Sequence, residues 1–325
     1  MVDVRVNEAE PVVGRLAVGE AVEDWTGDAR FFEYSEAADP IGSGAISAIP
    51  VVAFPAELYA GGSTRIVALD LSDRLRTPYP ATSPALLASF LCINAGDELN
   101  LQPNATSQLL YCIRGRGRSL VDGTEVRWSE GDFLTLPAAT SATHAAEETA
   151  AFYHVVDTPL LDYLGVVASV ARFRPTVFTA EAARARLAEV AAAPGADRKS
   201  RVSVLLNNTS FDQTLTVTHT LWAMFGLLPA GKSQSAHRHQ SVAVDLIVDC
   251  LPGCYTLLGD SVEAGTGRIV DPVRIDWETG GAFVTPPGKW HSHHNESGRD
   301  AHLIPVQDAG LQTYLRALDI RFSTD

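Results

Sequence analysis

Two short stretches decide how the chain is interpreted: GKSQSAHRHQ at residues 231–240 and GGAFVTPPGKWHSHHN at residues 280–295. Five of the nine histidines lie in these stretches. Residues two apart on a β-strand point to the same side, so His237 and His239 present two imidazoles to one volume. His291 follows a rigid Pro-Pro-Gly turn that would start another strand. The three imidazoles can then meet on one divalent metal ion.

Short β-type runs bounded by glycine and proline fill most of the chain, which contains 25 glycines and 18 prolines. This pattern predicts a mostly-β protein. The spacing G-x5-P at residues 131–137 recurs at residues 280–286, which indicates an internal duplication about 150 residues apart. Residues 180–193 have the helical spacing of an amphipathic segment, with Thr179 as N-cap. We interpret this segment as a helix that links the two halves.

The two histidine stretches resemble the two characteristic motifs of the cupin superfamily, G-x5-H-x-H and G-x5-P-x-G-x2-H-x3-N. The resemblance implies an all-β fold of two double-stranded β-helix (jelly-roll) barrels joined by a helical linker, with a divalent metal in one barrel. His237, His239 and His291 occupy the ligand positions of these motifs. Cupins often place a glutamate shortly after the second histidine, where this chain has Ala243 and Val244. The resemblance therefore implies three histidine ligands without a carboxylate.

The first half of the chain also resembles a cupin barrel, but its ligand positions are empty. Residues 107–137 contain the hairpin and the glycine step of the superfamily. LQPN at residues 101–104 stands in place of the histidine pair, and Ala142 stands in place of the third histidine. We expect four segments: an arm at residues 1–60, a metal-free barrel at 61–170, a helical linker at 171–205 and a metal-binding barrel at 206–325.

Among two-barrel cupins, the chain resembles the gentisate 1,2-dioxygenase-like group, which includes salicylate and 1-hydroxy-2-naphthoate dioxygenases. The shared stretches are HRHQS at 237–241, YT at 255–256, TPP at 285–287 and WHSH at 290–293. In that group the metal barrel usually comes first, whereas here it comes second. The resemblance implies a non-haem Fe(II) dioxygenase that uses O2 to cleave a small hydroxylated aromatic substrate. Mn, Ni, Cu and Zn are alternative metals for the same ligands.

Asp245 departs from this group in a way that bears on the substrate. The group usually has an arginine in the strand after the histidine pair, available to pair with a substrate carboxylate, and ungapped counting places Asp245 there. A carboxylate repels an anionic group, and burial of an ionised aspartate without a partner is costly. We expect Asp245 to face a metal, a cation or a substrate amine, phenol or amide, in a catalytic or substrate-binding role. A structural pairing within the strand is the open alternative.

Five further residues are candidates because they flank the ligand positions. His293 and His294 are close enough in sequence to His291 to give or take a proton beside the metal, with a solvated loop as the alternative. Gln240, Trp290 and Arg238 are the predicted substrate-binding residues. These roles depend on which side of each strand the side chains occupy.

Composition restricts the partners and the location. Lys and Arg total 25 against 39 Asp and Glu, and a net charge of −14 disfavours nucleic acid. The first twenty residues lack the features of a signal peptide, and no apolar stretch is long enough to span a membrane. The four cysteines are too few for a disulfide framework. We therefore expect a cytoplasmic protein with reduced thiols, a small-molecule substrate and, from the resemblance, a homodimer or homotetramer.

Two other functions remain open at this point. A cupin metalloenzyme can use its cation only as a Lewis acid, which would make the chain an isomerase, lyase or hydrolase. A non-catalytic barrel that binds a small molecule is the second alternative. Activity with Zn in the absence of O2 would separate the first alternative from a dioxygenase.

Overall fold

The computed structural model describes residues 25–196 and 202–323, and these residues form four antiparallel β-sheets. Part of the predicted arm, residues 1–24, lies outside the described residues. The strands of the first half are β2 (Arg65–Ala68), β3 (Leu87–Ile93), β4 (Glu98–Leu101), β5 (Ser107–Arg114), β6 (Arg116–Val121), β7 (Thr124–Ser129), β8 (Phe133–Pro137), β9 (Ala142–Ala146), β10 (Ala150–Val156) and β11 (Thr176–Phe178), preceded by β1 (Ala53–Phe54).

The strands that follow are β12 (Val202–Leu205), β13 (Trp222–Leu228), β14 (His237–Arg238), β15 (Ala243–Asp249), β16 (Cys254–Gly259), β17 (Val273–Asp276), β18 (Ala282–Thr285), β19 (Trp290–Asn295), β20 (Ala301–Gln307) and β21 (Arg321–Phe322). The α-helices are short: α1 (Tyr34–Ala37), α2 (Ser72–Leu75), α3 (Thr158–Leu164), α4 (Ala180–Ala192) and α5 (Ala309–Tyr314). Single 3-10 turns occur at Ala56–Tyr59 and Thr209–Phe211. None of the helices in the described ranges is long and apolar enough to cross a membrane.

The first barrel consists of a six-stranded sheet, in the order β11-β8-β5-β10-β3-β2, and a four-stranded sheet, in the order β4-β9-β6-β7. The burial pattern explains the sequence of each strand. β6 alternates exposed and buried residues because one of its faces meets solvent, whereas β10 is buried along its whole length because both of its faces are covered. Leu110, Leu136 and Phe152 belong to the apolar cluster that fills the space between the two sheets.

The second barrel repeats this plan. Its six-stranded sheet has the order β1-β18-β15-β20-β13-β12, and its five-stranded sheet has the order β17-β16-β19-β14-β21. Two strands from outside the predicted metal barrel, β1 and β12, lie at the edges of the six-stranded sheet. The all-β prediction of two cupin barrels is confirmed, while the segment boundaries at 60, 170 and 205 stay predictions.

The two six-stranded sheets pack against each other through the largest apolar cluster. The rings of Phe133 in the first barrel and Phe225 in the second are 6.4 Å apart, edge to face. Helix α4 lies where the sequence predicts the linker helix, and the Thr179 side chain accepts a hydrogen bond from the backbone N–H of Ala182. α4 buries only Ala183 and Leu187, and both belong to the apolar cluster between the two six-stranded sheets.

Candidate metal centre

Three histidines of the second barrel lie close enough together to hold one metal ion. His237 is in β14 and is the direct antiparallel partner of His291 in β19, while His239 follows immediately after β14. One ring nitrogen from each of the three lies within 4.8 Å of the others. The side chains are 3%, 4% and 2% exposed, so the cluster is a buried site and not a surface coincidence. The structure therefore brings together the three predicted ligands.

A tight turn places the third histidine opposite the first two. Gly288 adopts a left-handed backbone conformation with φ of +73°, which glycine tolerates without steric cost. Its backbone N–H donates to the carbonyl of His239 at 2.7 Å. This hydrogen bond joins the turn before β19 to the end of the first motif. It thereby helps to hold His291 opposite His237.

The partners of the Nδ1 atoms fix which nitrogen of each ring can bind metal. Each of the three Nδ1 atoms lies within hydrogen-bond distance of a backbone carbonyl, and a carbonyl only accepts, so Nδ1 carries the proton. The acceptors are Ser235 for His237 (3.2 Å), Ser241 for His239 (2.8 Å) and Lys289 for His291 (3.0 Å). Nε2 is then the nitrogen of each ring that could bind a metal, because metal-binding histidines donate their other N–H in this way. The residues fit a divalent metal with three neutral nitrogen ligands.

A further hydrogen-bond chain supports His239. The Ser241 hydroxyl lies 3.0 Å from Nδ1 of His239 and donates to the side-chain carbonyl of Gln307 at 2.8 Å. Both Ser241 and Gln307 are buried, at 0% and 2% exposure. The backbone carbonyl and the hydroxyl of Ser241 thus fix the orientation of the His239 ring. Gln307 in β20 in turn holds the Ser241 hydroxyl.

His293 is a fourth imidazole on the same side of β19 as His291. Its ring centroid lies 5.8 Å from that of His291 and 6.1 Å from that of His237. Nδ1 of His293 is 2.8 Å from the Thr256 hydroxyl, which accepts a hydrogen bond from the Trp277 indole at 2.8 Å. The different Nδ1 partner, a hydroxyl in place of a carbonyl, distinguishes His293 from the three ligands.

His294 faces the opposite side of β19. Its ring stacks on Tyr255 at 4.7 Å, and its two nitrogens lie 2.8 Å from the hydroxyls of Ser233 and Ser292. Burial lowers the pKa of His294, while Glu296 acts in the opposite direction. The structure does not bring His294 to the three ligands.

Asp245 faces the barrel interior from the six-stranded sheet. It is 2% exposed, and the Thr285 hydroxyl donates to its carboxylate at 2.8 Å. Asp245 is the antiparallel partner of Phe283, so the two side chains share one face of the sheet. The Phe283 ring lies 6.5 Å from that of His293, which identifies this face as the one that looks toward the histidines.

The three predicted substrate residues lie outside the histidine cluster. The guanidinium of Arg238 sits 5.1 Å above the ring of Trp290, and both residues alternate with inward-facing histidines on their strands. Gln240 is exposed, and its side-chain carbonyl accepts a hydrogen bond from the backbone N–H of Asp319 at 2.8 Å.

The sequence interpretation missed two sets of residues near the histidines. Thr256 and Trp277 form the hydrogen-bond chain that orients His293. The only sequence pattern that includes either residue is the YT stretch, and it does not indicate a function for Thr256. Phe322 in β21 pairs with His237, and its ring stacks on the His237 ring at 5.6 Å. No local pattern around Phe322 indicates that it would lie beside a histidine 85 positions earlier in the chain.

The first barrel keeps the fourth histidine without the ligands. Its pair Leu101–Ala142 corresponds to the pair His237–His291 in strand register. His144 corresponds to His293: its Nδ1 lies 2.6 Å from the Ser119 hydroxyl, which accepts from the Trp128 indole at 3.0 Å. The indole–hydroxyl–imidazole arrangement is therefore part of both barrels, whereas among the described residues the cluster of three histidines that could hold a metal lies only in the second.

Comparisons with known proteins agree with this architecture. No protein-family model matches the chain. The chain is 29% identical over 122 residues to a 1-hydroxy-2-naphthoate 1,2-dioxygenase of Nocardioides sp. (strain KP7), and 29% identical over 124 residues to a 5-aminosalicylate 1,2-dioxygenase of Comamonas sp.. Each alignment covers 38% of this chain but only 28% and 29% of those proteins. The predicted resemblance to this group is confirmed, over a minor part of the relatives' length.

The structural comparison extends over most of the chain. The crystal structure of a salicylate 1,2-dioxygenase from Pseudaminobacter salicylatoxidans superposes with a TM-score of 0.66 and covers 86% of this chain and 89% of that one. Sequence identity is 16%, so the comparison shows a shared fold.

Proposed function

We propose that the chain is an Fe(II)-dependent dioxygenase that cleaves a small hydroxylated aromatic substrate with O2. The observation that carries the proposal is the buried set of three histidines whose Nδ1 protons are all donated to backbone carbonyls, which leaves three Nε2 ligands for one ion. The names of the similar proteins, all aromatic-acid dioxygenases, favour oxygen chemistry at this site over other cupin reactions.

The ligand set suits such a reaction. When bound, Fe(II) with three neutral histidines supplies electrons for O2 chemistry and keeps coordination positions open for an oxygen-bearing chelating substrate. The protein contributes neutral ligands with fixed tautomers, and the burial of all three rings keeps bulk water from the site. Mn, Ni, Cu and Zn fit the same nitrogen ligands, and affinity alone does not select Fe(II) among them.

His293 is the residue of this site that we assign to hydrogen bonding or proton transfer with the substrate. The Trp277 indole only donates, so Thr256 accepts from it and can direct its own hydrogen to Nδ1 of His293. The His293 proton then lies on Nε2, where it can be donated to a substrate oxygen. His294 lies on the outer face of β19. It would affect the reaction only indirectly, by helping to position this strand.

Asp245 is the residue that we assign to the choice of substrate. Its carboxylate faces the histidines and already accepts one hydrogen bond from Thr285. The carboxylate would accept a hydrogen bond from an amine, amide or phenol of the substrate, whereas a substrate carboxylate would be repelled. Gln240, Trp290 and Arg238 would frame the site from outside, since their side chains lie away from the three ligands.

Oxygen consumption tests the function directly. Protein loaded with Fe(II) under anaerobic conditions should consume O2 when catechol or an aminophenol is added, and His291→Ala should abolish this uptake. His302→Ala is the matched control, because His302 lies in the same barrel but pairs with Asp249. Absence of uptake with bound iron across a broad phenol panel would contradict the proposal, and turnover with Zn in the absence of O2 would indicate Lewis-acid chemistry.

The location and the assembly are also part of the proposal. The four cysteines, all unpaired, suit a reducing cytoplasm, and the resemblance favours a homodimer or homotetramer. Sedimentation equilibrium should give a mass of two or four chains, and a monomer at all concentrations would contradict this part.

A further inference from the structure

The segment 315–323, here called the strap, runs back from α5 to the metal site. Its last part is β21, which pairs with β14 in the register His237–Phe322 and Arg238–Arg321. β14 is only two residues long and lies between β19 and β21. The strap therefore completes the sheet at the strand that carries the first ligand.

Two hydrogen bonds hold the strap in place besides this short ladder. The backbone N–H of Ser323 donates to the carbonyl of Ala236 at 2.8 Å. The backbone N–H of Asp319 donates to the side chain of Gln240 at 2.8 Å. Gly267 leaves room for the strap, since a Cβ there would lie 2.6 Å from the Ser323 hydroxyl. These contacts fix the strap beside the first histidine motif.

Phe322 is the strap residue that meets the site. Because Phe322 and His237 are direct partners in an antiparallel ladder, their side chains lie on the same face of the sheet, and His237 faces the ligand cluster. The two rings are stacked, with 5.6 Å between centroids and 24° between planes. Phe322 is only partly buried, so the rest of the protein does not cover all of its surface.

We propose that Phe322 is an aromatic wall of the substrate site and the positioning residue for His237. The ring restricts the rotation of the His237 imidazole by stacking on it, and its accessible part contacts the flat ring of a chelating phenol. Gln240 acts on the same site indirectly, by holding the strap. This inference rests on the proposed function, because it requires an aromatic ligand at the three-histidine metal.

Co(II) provides a test that does not depend on turnover. Co(II)-loaded protein is titrated with catechol, and binding is followed by the visible absorption of the metal. Phe322→Ala should weaken catechol binding about ten-fold, the value of one aromatic contact, and should alter the Co(II) spectrum before catechol is added. Phe322→Tyr should restore binding to within about two-fold, because it keeps the stacked ring.

Two further variants separate the strap from general damage. Gln240→Ala removes the anchor of Asp319 and should weaken catechol binding in the same direction as Phe322→Ala. Leu315→Ala is the control, because Leu315 lies in the strap but is 60% exposed; it should bind catechol as the unmodified protein does. Melting temperatures of the metal-free variants report any loss of folding.

The outcomes distinguish this inference from the proposed function. Unchanged catechol affinity and an unchanged Co(II) spectrum in folded Phe322→Ala protein would overturn the inference. Equal weakening by Leu315→Ala would overturn it as well. A third outcome is that catechol binding weakens in Phe322→Ala as described while no phenol supports O2 uptake. That result would support the role of Phe322 and contradict the dioxygenase proposal.

Discussion

The first barrel contains two buried histidines that should make the protein sensitive to acid. His144 and His154 are 0% and 5% exposed. Burial lowers the pKa of His144 to about 4. Burial, with a smaller contribution from the nearby His144, lowers the pKa of His154 to about 3. Each ring is neutral in the folded protein and has one polar partner, Ser119 for His144 and Gln108 for His154.

The direction in which stability changes with pH follows from the histidine pKa values of the folded and unfolded chains. An unfolded histidine takes up a proton near pH 6.5, whereas folded His144 remains neutral until about pH 4. The stabilisation is therefore fully present above about pH 7 and is lost as the pH falls from 6.5 toward 4. Proton linkage over this interval gives a loss of about 2 kcal/mol per histidine between pH 8 and pH 5.

Urea unfolding at pH 8 and pH 5 measures this loss. The protein is kept metal-free, so that titration of the three ligands is the same background in every variant. The unmodified chain should lose about 2 kcal/mol more between the two pH values than His144→Asn, which removes the titrating ring and keeps a polar atom near Ser119. An equal pH dependence in the two proteins would refute the buried neutral histidine.

Three substitutions test the hydrogen bonds around the metal. Ser241→Ala should weaken Co(II) affinity about 10- to 100-fold in a chelator competition, because the hydroxyl supports His239; unchanged affinity would contradict this. Thr256→Val should lower kcat/KM at least about ten-fold with unchanged metal content, since it removes the partner of His293, and lost metal would mean that the effect is on ligation. Asp245→Asn should tighten gentisate binding to the Co(II) protein about ten-fold without tightening catechol binding, whereas a parallel change in both ligands would exclude charge selection.

The clustering of the three histidines was predictable because the spacing of each motif is local. His237 and His239 are two positions apart, and the G-x5-P-x-G step fixes the start of β19, so both motifs are visible without tertiary information. The G-x5-P spacing at residues 131–137 and 280–286 likewise predicted a repeated unit, and these steps became β8 and β18 with the turns that follow them.

The surroundings of the ligands were not predictable for a physical reason. Which residues face the histidines depends on the register between strands that are distant in sequence, and one position of shift exchanges the two faces of a strand. His294 and Trp290 differ from His291 only by odd offsets along β19, and they lie on its other face. Gln240 lies past the end of β14, and its side-chain carbonyl accepts a hydrogen bond from the backbone N–H of Asp319 in the strap.

The hydrogen bonds between polar residues inside the barrels were not predictable for the same reason. Thr256 reaches His293 across the β16–β19 ladder, and Trp277 follows β17 on the other side of β16. Nothing within either segment indicates this contact. The repetition of the same arrangement at Ser119 and His144 becomes visible only when the two barrels are compared strand by strand.

Anomalous diffraction from crystals of the metal-reconstituted protein tests the central claim most directly. Data collected at the absorption edge of Fe or Co should show one peak, about 2.0–2.2 Å from Nε2 of His237, His239 and His291, with at least one coordination position held by water or substrate. A peak elsewhere, a ring that binds through Nδ1, or a metal whose positions are all filled by protein atoms would contradict the account.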